Sequence, residues 1–125
     1  MSFVSGIAID PSNPNHAWIS YSGYTAYAPG GHVYEATYNP ASHSATFTDR
    51  SNDLGDMPVT GIAQYQGDLY AATDFGVLRL ANGSTHWTDA AAGMPKVAVY
   101  GLTLDRATHT LYAATHGRGA YSVGL

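Results

Sequence analysis

Hydrophobic and polar residues divide this chain into eleven short segments that have the composition of β-strands. The segments are five to nine residues long, are rich in Val, Ile, Tyr, Thr and Trp, and are bounded by Gly, Pro, Asn or Asp. The one helical candidate, residues 89–93, contains a run of three alanines that is too short to nucleate a helix by itself. The pattern therefore predicts an all-β protein.

The predicted strands recur as three copies of one unit. The first strand of each unit has the pattern V-x-G-[IL]-[AT], and it begins at Val4, Val59 and Val99, at intervals of 55 and 40 residues. The second strands of the last two units share the sequence LYAAT, which begins at Leu69 and Leu111. A third strand begins at a glycine in every unit. The sequence therefore predicts three structural units of one kind.

A fourth strand is present in the first two units, where it contains the tripeptide [FW]-T-D beginning at Phe47 and Trp87. Four antiparallel strands and a period near 40 residues are typical of a β-propeller blade. The chain is therefore predicted to be a single all-β domain. It would be a partial β-propeller of about three four-stranded antiparallel blades spanning residues 4–58, 59–98 and 99–125, the last blade lacking its outer strand. The alternative is a β-sandwich with three similar hairpins.

The faces of the first strands favour stacked sheets. One face carries the glycine and the smaller residue two positions after it, and the opposite face carries large residues such as Ile7, Ile62 and Leu102. Strands that are apolar on both faces are expected where each sheet lies between two others. The repeated glycine, which is Gly61 in the second unit, is predicted to lie in a crowded inner strand where another backbone comes close. Trp87 is predicted to be largely buried between sheets.

Several segments resemble the Asp-box (BNR) propellers, a superfamily that includes sialidases, xyloglucanases and sortilin-type receptors. The segments are IAIDPSNPNHAWIS, LYAATDFGVLRL, THWTD and LYAATHGRGAYSV, and the likeness covers nearly the whole chain. In the family a hairpin reads S-x-D-x-G-x-T-W. The matching residues 80–87 keep the turn glycine, Gly83, and Trp87, whereas Asn82 replaces the Asp. Because this box is structural in the family, the resemblance implies no particular activity. It implies the C-terminal blades of a larger propeller, or a fragment of one made to stand alone.

Composition and charge exclude several classes of function. Five Lys and Arg against nine Asp and Glu give a net charge of -4, which does not suit nucleic acid or an anionic membrane as a partner. The absence of Cys excludes disulfides, thiolate metal sites and a cysteine nucleophile. The start, MSFVSGIAID, has no basic segment typical of an export signal, and no apolar run reaches the ~18 residues of a membrane span. The sequence therefore predicts a soluble chain without an export signal, and it leaves open the compartment and whether a larger parent protein is secreted.

No metal or cofactor site is predicted. His32 and Glu35 lie three positions apart on one predicted strand, and therefore on opposite faces, so they cannot chelate one ion. The six His residues occur without a cluster of other metal ligands. They are expected to be scattered over the surface.

The candidate ligand-binding residues lie in the loops that are expected to converge over the propeller axis. Aromatic, carboxylate, imidazole and guanidinium groups would meet there and bind a sugar by stacking and by charge-assisted hydrogen bonds. The residues are Tyr24, Tyr27, Asp74, Phe75, His116 and Arg118. In the structural alternative, which is favoured, Asp74 and His116 cap turns and Arg118 pairs with a neighbouring carboxylate, because clustered charges are often structural.

Catalysis by this chain alone is not expected. Glycosidases need two carboxyl groups about 5 to 9.5 Å apart, one of them with a raised pKa. Glu35 is the one Glu, and only Asp53, Asp56 and Asp74 are expected near the loops, where the arginine triad of sialidases cannot be matched. The sequence therefore favours a non-catalytic scaffold or binding module with no catalytic residue in this chain. The alternative is part of a glycan-processing glycoside hydrolase, sialidase-like or xyloglucanase-like, whose catalytic residues lie partly outside this chain.

Self-association is predicted from the two outermost blades. One open side carries large apolar side chains and the other carries small ones, so the two sides complement each other and neither complements itself. Such a contact is head-to-tail and must either close into a ring or continue as a filament. A homodimer that closes a six-bladed ring is preferred, and other closed rings are the alternative.

Overall fold

The computed structural model of the chain describes residues 3–25 and 30–125, which form eleven strands and one short 3-10 helix, Asn52–Leu54. The strands build three antiparallel sheets of four, four and three strands, and each sheet is a simple meander. The predictions of an all-β chain and of three antiparallel sheets are confirmed.

Each sheet follows the chain order. Sheet 1 contains β1 (Phe3–Asp10), β2 (Asn13–Ser22), β3 (Val33–Asn39) and β4 (Ser44–Asp49). Sheet 2 contains β5 (Val59–Tyr65), β6 (Asp68–Thr73), β7 (Gly76–Leu80) and β8 (Trp87–Asp89). Sheet 3 contains β9 (Val99–Asp105), β10 (Thr110–Thr115) and β11 (Ala120–Gly124).

The first strands of the three sheets lie next to one another, because β5 contacts both β1 and β9. Ser5 Oγ donates a hydrogen bond to the carbonyl oxygen of Val59 at 2.5 Å. Thr60, which holds the same place in the repeated motif, donates in the same way to the carbonyl oxygen of Val99. In sheets 1 and 2, a side chain of the first strand thus binds the first strand of the following sheet. This arrangement is that of neighbouring blades in a propeller.

Two hydrophobic cores lie between the sheets, and they join unlike faces. We call the side of each sheet that bears the motif glycine its glycine face, and the opposite side its aliphatic face. On the glycine face of sheet 1, Ala8 pairs with Trp18, and this face packs on Ile62 of the aliphatic face of sheet 2. The glycine face of sheet 2, with Tyr70, packs on Leu111 of the aliphatic face of sheet 3. Small first-strand residues leave room for the aromatic ring beside them.

Trp87 is half-buried, so the prediction that it is largely buried is wrong in degree. Its indole N–H donates to the carbonyl oxygen of Arg50 at 3.2 Å, and its backbone N–H donates to Asp53 at 2.9 Å. The reason is the position of β8, a strand of three residues at the outer edge of sheet 2. The ring covers the rim of the core between sheets 1 and 2 and does not enter its centre.

The crowding predicted for the repeated glycine is present at only one of the three copies. A Cβ atom added at Gly6 would lie 2.9 Å from Ser20 Oγ and 3.1 Å from the backbone nitrogen of Ile62. At Gly61 the nearest atoms would be 3.8 Å away, which is ordinary contact. At Gly101 a single atom would lie within reach, at 4.0 Å. The prediction for Gly61 is therefore wrong.

We expect Gly6→Ala to lower the free energy of unfolding by ~1 to 3 kcal/mol, because the added methyl group overpacks a contact between two backbones. Gly61→Ala is the matched control, and its free energy of unfolding should stay close to that of the parent chain, since its new methyl group meets no close neighbour. Urea unfolding followed by circular dichroism measures both variants. Equal destabilisation of the two would contradict the assigned packing of β1 on β5.

Candidate functional site

Tyr24 and Asp74, two of the predicted ligand-binding residues, are brought together by the fold. The Tyr24 hydroxyl donates to Asp74 Oδ2 at 3.1 Å, although the two residues come from different sheets. This hydrogen bond to a carboxylate raises the pKa of Tyr24 above its usual range. Phe75 follows Asp74 and is 56% exposed. The result is a surface group of two exposed aromatic rings and one carboxylate.

The turn that carries Asp74 and Phe75 is held by a buried threonine. Thr73 Oγ1 donates to the carbonyl oxygen of Gly76 at 2.8 Å and accepts the N–H of Phe75 at 3.1 Å. Gly76 has a φ of 101°, which favours glycine at this position. The sequence T-D-F-G thus fixes a tight turn between β6 and β7 and projects the two intervening side chains outward.

Asp56 fastens the neighbouring loop. Its Oδ1 accepts the backbone N–H of Thr25 at 2.8 Å and the Thr25 hydroxyl at 2.9 Å, and it lies 3.0 Å from His32 Nε2. The backbone hydrogen bond from Thr25 is the main reason that the pKa of Asp56 is lowered. Asp56 therefore connects Thr25, the residue after Tyr24, to His32.

His32 is only 1% exposed, so the expectation of a surface histidine is wrong here. Its Nδ1 lies 3.2 Å from the carbonyl oxygen of Tyr21, and its Nε2 faces Asp56. Both ring nitrogens thus have oxygen partners, as a buried polar ring requires. His32 directly precedes β3, whereas Tyr21 lies in β2 and Asp56 lies between β4 and β5. The sequence around His32 contained no periodic signal of this pairing.

No hydrogen bond or ring contact among the described residues joins the remaining predicted residues to the Tyr24 group. His116 and Arg118 are exposed in the turn between β10 and β11. The His116 ring packs edge-on against Tyr100, with centroids 5.2 Å apart, and its backbone N–H donates to Ala98 at 2.9 Å. Among the described residues, Arg118 has no carboxylate at ion-pair distance. Tyr27 lies outside the described residues.

Asp53, which was expected near the loops, binds the first residue of β8. Its Oδ1 accepts the backbone N–H of Trp87, which is the main cause of its lowered pKa. Its Oδ2 lies 3.2 Å from His86 Nδ1. Asp53 therefore connects the short 3-10 helix to the outer strand of sheet 2.

A cluster of charged residues on sheet 1, which the sequence analysis missed, surrounds His16. The ring contacts Asp10 through Nδ1 at 2.9 Å and Glu35 through Nε2 at 2.6 Å, and Glu35 also accepts Arg50 Nε at 2.6 Å. The ring packs on Trp18 with centroids 4.4 Å apart. Strand register would have found this group, because Trp18 pairs with Glu35 and so places Glu35 diagonally beside His16.

The pKa values of this cluster follow from its pairing. Burial lowers the pKa of His16, but the hydrogen bonds to Asp10 and Glu35 outweigh burial and leave it raised above 6.5. The pKa of Asp10 falls to about 2, mainly through its hydrogen bond from Ser12 and then through His16. Burial raises the pKa of Glu35, and the hydrogen bonds from His16 and Arg50 more than reverse this. The cluster is a paired structural network.

We expect His16→Gln to destabilise the chain more at about pH 5.5 than at about pH 9. The folded-state pKa of His16 is raised, so its stabilisation is complete below the unfolded value of 6.5 and is lost as the pH rises through the folded value. The difference in Tm between the parent and the variant, measured across this range, tests the sign. A difference that grows with pH would contradict the pairing of His16 with the two carboxylates.

The shifted carboxyl groups of the described residues are stabilised in their ionised form. Five of them have clearly shifted pKa values, and all five are lowered: Asp10, Glu35, Asp53, Asp56 and Asp105. A glycosidase acid requires a raised pKa. Within the described ranges, no three His, Asp or Glu residues are grouped so that they could hold a metal ion. No helix formed by the described residues is long and apolar enough to cross a membrane.

Comparison with known proteins supports the fold and adds no activity. No protein-family model matches the chain, and no curated protein matches it. Among solved structures it is similar to the extracellular domain of a proposed one component system from B. thetaiotaomicron, with a TM-score of 0.66 and 17% identity over 97% of this chain. The chain spans 15% of that chain's length. The likeness shows a β-propeller-type fold and does not extend to the Asp-box family.

Proposed function

We propose that this chain is a non-catalytic binding module made of propeller-type blades, and that its two uncovered sheet faces bind each other head to tail between copies. The observation that carries this proposal is a difference in exposure between equivalent residues. The aliphatic face of sheet 1 and the glycine face of sheet 3 are uncovered. The aliphatic and glycine faces of sheet 2 are their counterparts, and they are covered by sheet 1 and sheet 3 respectively. The covered counterpart shows what the uncovered face is built to contact.

The aliphatic face of sheet 1 is the first uncovered surface. Ile7 is 61% exposed, whereas Ile62, at the same motif position in sheet 2, is 8% exposed because sheet 1 covers it. Ile9 and Phe47 extend the same face, since Ile9 pairs with Ala17 and Ala36 pairs with both Ala17 and Phe47. They are more than half exposed as well. A contiguous apolar patch of this kind marks an interaction surface.

The glycine face of sheet 3 is the second uncovered surface. Tyr112 is 45% exposed, whereas Tyr70, the same residue of the repeated LYAAT sequence, is 4% exposed beneath sheet 3. The first strand of this face carries Gly101 and Thr103, which match Gly61 and Ala63 of the covered face. Sheet 3 thus offers the kind of surface that receives an aliphatic face inside the chain. A second copy has the matching aliphatic face on its sheet 1.

Light scattering on the purified chain tests the assembly. Because the contact joins unlike faces, it is head-to-tail and closes as a ring if the rotation permits. We expect a mass of two copies of the 13.2 kDa chain, which would complete six sheets, or of another closed ring. A stable, folded monomer at high concentration would overturn the proposal.

Glycan binding is a second candidate function, favoured by the exposed Tyr24 and Phe75 rings beside Asp74. Exposed rings stack on the apolar faces of sugars, and a carboxylate accepts hydrogen bonds from sugar hydroxyl groups. On a glycan array, we expect Phe75→Ala to lose any binding that the parent shows. Arg118→Ala is the matched control, because Arg118 lies in a different turn, and it should retain that binding. Turnover of a glycan that is lost in Asp74→Asn would favour the glycoside hydrolase alternative.

A further inference from the structure

A polar pocket of about 270 Å³ lies between sheets 1 and 2, at the end of the sheets that carries the hairpin between β7 and β8. The residues that line it from the side of sheet 1 are Trp18, Glu35 and Arg50. The residues that line it from the side of sheet 2 are Gly67, Leu69, Leu80 and 81–85. Both sheets contain the four strands of the repeated unit, so the pocket does not depend on the residues at either end of the chain.

One wall of the pocket is apolar. Trp18, Leu69 and Leu80 belong to the core between the two sheets, and they line the pocket as well. Leu69 pairs with Leu80 in the strand register, so the two side chains lie next to each other on the aliphatic face of sheet 2. A short aliphatic chain that lies on this wall would be removed from water.

The indole N–H of Trp18 lacks a partner on this wall. Trp18 is 7% exposed, yet its N–H donates to no described residue, whereas the N–H of the less buried Trp87 donates to the carbonyl oxygen of Arg50. Among the described residues, Gln64 Oε1 is the one fully enclosed side-chain polar atom without a partner, so the Trp18 N–H still has accessible space beside it. A Trp N–H in a buried ring usually has a hydrogen-bond partner. An acceptor atom of a ligand in the pocket would supply one.

Arg50 brings further donors to the pocket. Its Nε donates to Glu35 Oε2 at 2.6 Å, and its Nη2 lies 2.5 Å from the same oxygen. A guanidinium has five N–H donors, and Nη1 of Arg50 donates to no residue in the described part of the chain. Glu35 has both oxygens in use, since its Oε1 lies 2.6 Å from His16 Nε2. The pocket therefore has donors to spare, and its carboxylate is already paired.

The charge of Glu35 does not oppose the entry of an anion. Glu35 lies between Arg50 and His16, and the pKa of His16 is raised above 6.5 by its hydrogen bonds to Asp10 and Glu35. At pH 6 His16 is therefore mainly protonated, and these four residues carry as many positive as negative charges. The charge-assisted hydrogen bonds of Arg50 then outweigh the weak net field of the cluster.

Asn82 places a side-chain amide at the hairpin side of the pocket. Its backbone N–H donates to Asp68 Oδ1 at 2.8 Å, which fixes the start of the hairpin. Its side chain packs on Gly67, where an added Cβ atom would lie 2.8 Å from Asn82 Nδ2. Within residues 3–25 and 30–125, this amide has no hydrogen-bond partner. It is a donor that is held in place before a ligand arrives, which lowers the entropic cost of binding.

We propose that this pocket binds a small carboxylate whose body is a short aliphatic chain. The carboxylate accepts hydrogen bonds from Arg50 and Trp18, and the chain lies on Leu69 and Leu80. The volume is just below the ~300 to 1,000 Å³ of pockets for drug-sized molecules, which suits a small acid. A sugar or an amine fits less well, because it would need a free carboxylate to accept its protons. The site is separate from the surfaces proposed for self-association and for glycan binding.

Sodium valerate is the probe, and NMR of the full chain at pH 6 is the measurement. The chain has two Trp residues and therefore two indole N–H signals. We expect a saturable shift of the Trp18 signal at millimolar valerate, and a smaller shift of the Trp87 signal, whose N–H is already bonded. From acetate through propionate and butyrate to valerate, affinity should rise roughly fourfold for each added methylene group. Valeramide, which has no charge, should bind at least about tenfold more weakly than valerate.

Arg50→Gln should weaken the binding of valerate about tenfold or more, because it removes the cation from the pocket. Arg79→Gln is the matched control and should bind as the parent does. The side chain of Arg79 is 44% exposed, against 46% for Arg50, and it pairs with Asp68 as Arg50 pairs with Glu35, but it does not line the pocket. The amide spectrum of each variant shows whether it is folded.

Four results would overturn the proposal. The first is the absence of a saturable shift. The second is equal affinity for acetate and valerate, which would indicate an adventitious ion only. The third is equal binding of valeramide, and the fourth is an equal loss in the two arginine variants, because binding would then follow total charge. If Arg50→Gln does not fold, the ligand series on the parent chain still decides the matter.

Discussion

Replacing Ile7 by Asp is expected to leave the chain folded and to abolish its assembly. Ile7 lies on the uncovered aliphatic face of sheet 1, where a carboxylate remains hydrated in the monomer. In the head-to-tail contact the same carboxylate would be buried without a partner, which costs several kcal/mol. Light scattering should report the 13.2 kDa monomer for the variant and a larger mass for the parent.

Ile62→Asp is the matched control, because Ile62 holds the same motif position but is buried beneath sheet 1. It should unfold the chain, as judged by the loss of the cooperative thermal transition. The proposal would be wrong if Ile7→Asp kept the mass of the parent, since the uncovered aliphatic face would then contribute nothing to assembly. It would also be wrong if both variants unfolded alike, because Ile7 would then be covered within the monomer.

Replacing Trp18 by Ala should lower the free energy of unfolding by ~3 to 5 kcal/mol. Trp18 is buried in the core between sheets 1 and 2, and its ring also supports His16 of the charged cluster. The substitution removes the largest side chain of that core and leaves a cavity. Urea unfolding at a protein concentration low enough to keep the chain monomeric measures this loss.

Tyr112→Ala tests the same position on the sheet that has no neighbour. In the strand register Trp18 pairs with Ala8, and Tyr112 pairs with Thr103 at the corresponding place in sheet 3. Because Tyr112 is exposed in the monomer, we expect its loss to change the free energy of unfolding by about 0.5 kcal/mol or less. The assembly should weaken instead. Similar destabilisation by both substitutions would show that sheet 3 is covered within one chain.

The strand content was readable from the sequence because it depends on local chemistry. Short apolar segments rich in β-branched and aromatic residues, separated by glycine and asparagine, determine where strands begin and end. The repeat indicated how the strands group into sheets, since Val4, Val59 and Val99 mark the first strand of each sheet. Crowding around the motif glycine depends on neighbouring strands, and the sequence predicted it less well. The glycine at the third motif position is crowded only at Gly6, where the backbone of β5 comes close.

In the candidate site, too, the sequence predicted the local features and missed the contacts between distant segments. The T-D-F-G turn is local, and the sequence placed both Asp74 and Phe75 in it; Asp74 is half-buried and Phe75 is exposed. The pairing of Asp74 with Tyr24 joins residues 50 positions apart and depends on how sheets 1 and 2 stack. His32 was expected at the surface because nothing near it in sequence indicates Asp56, its partner 24 positions away.

By itself, the sequence determined the all-β class, the three repeated units and the unlike faces of each sheet, because these follow from the alternation of side chains along a strand. Only the tertiary structure decided which faces are covered and which charges are paired around His16. Those properties arise from contacts between segments that are distant in the chain. Their energies depend on distance and burial, which the order of residues does not contain.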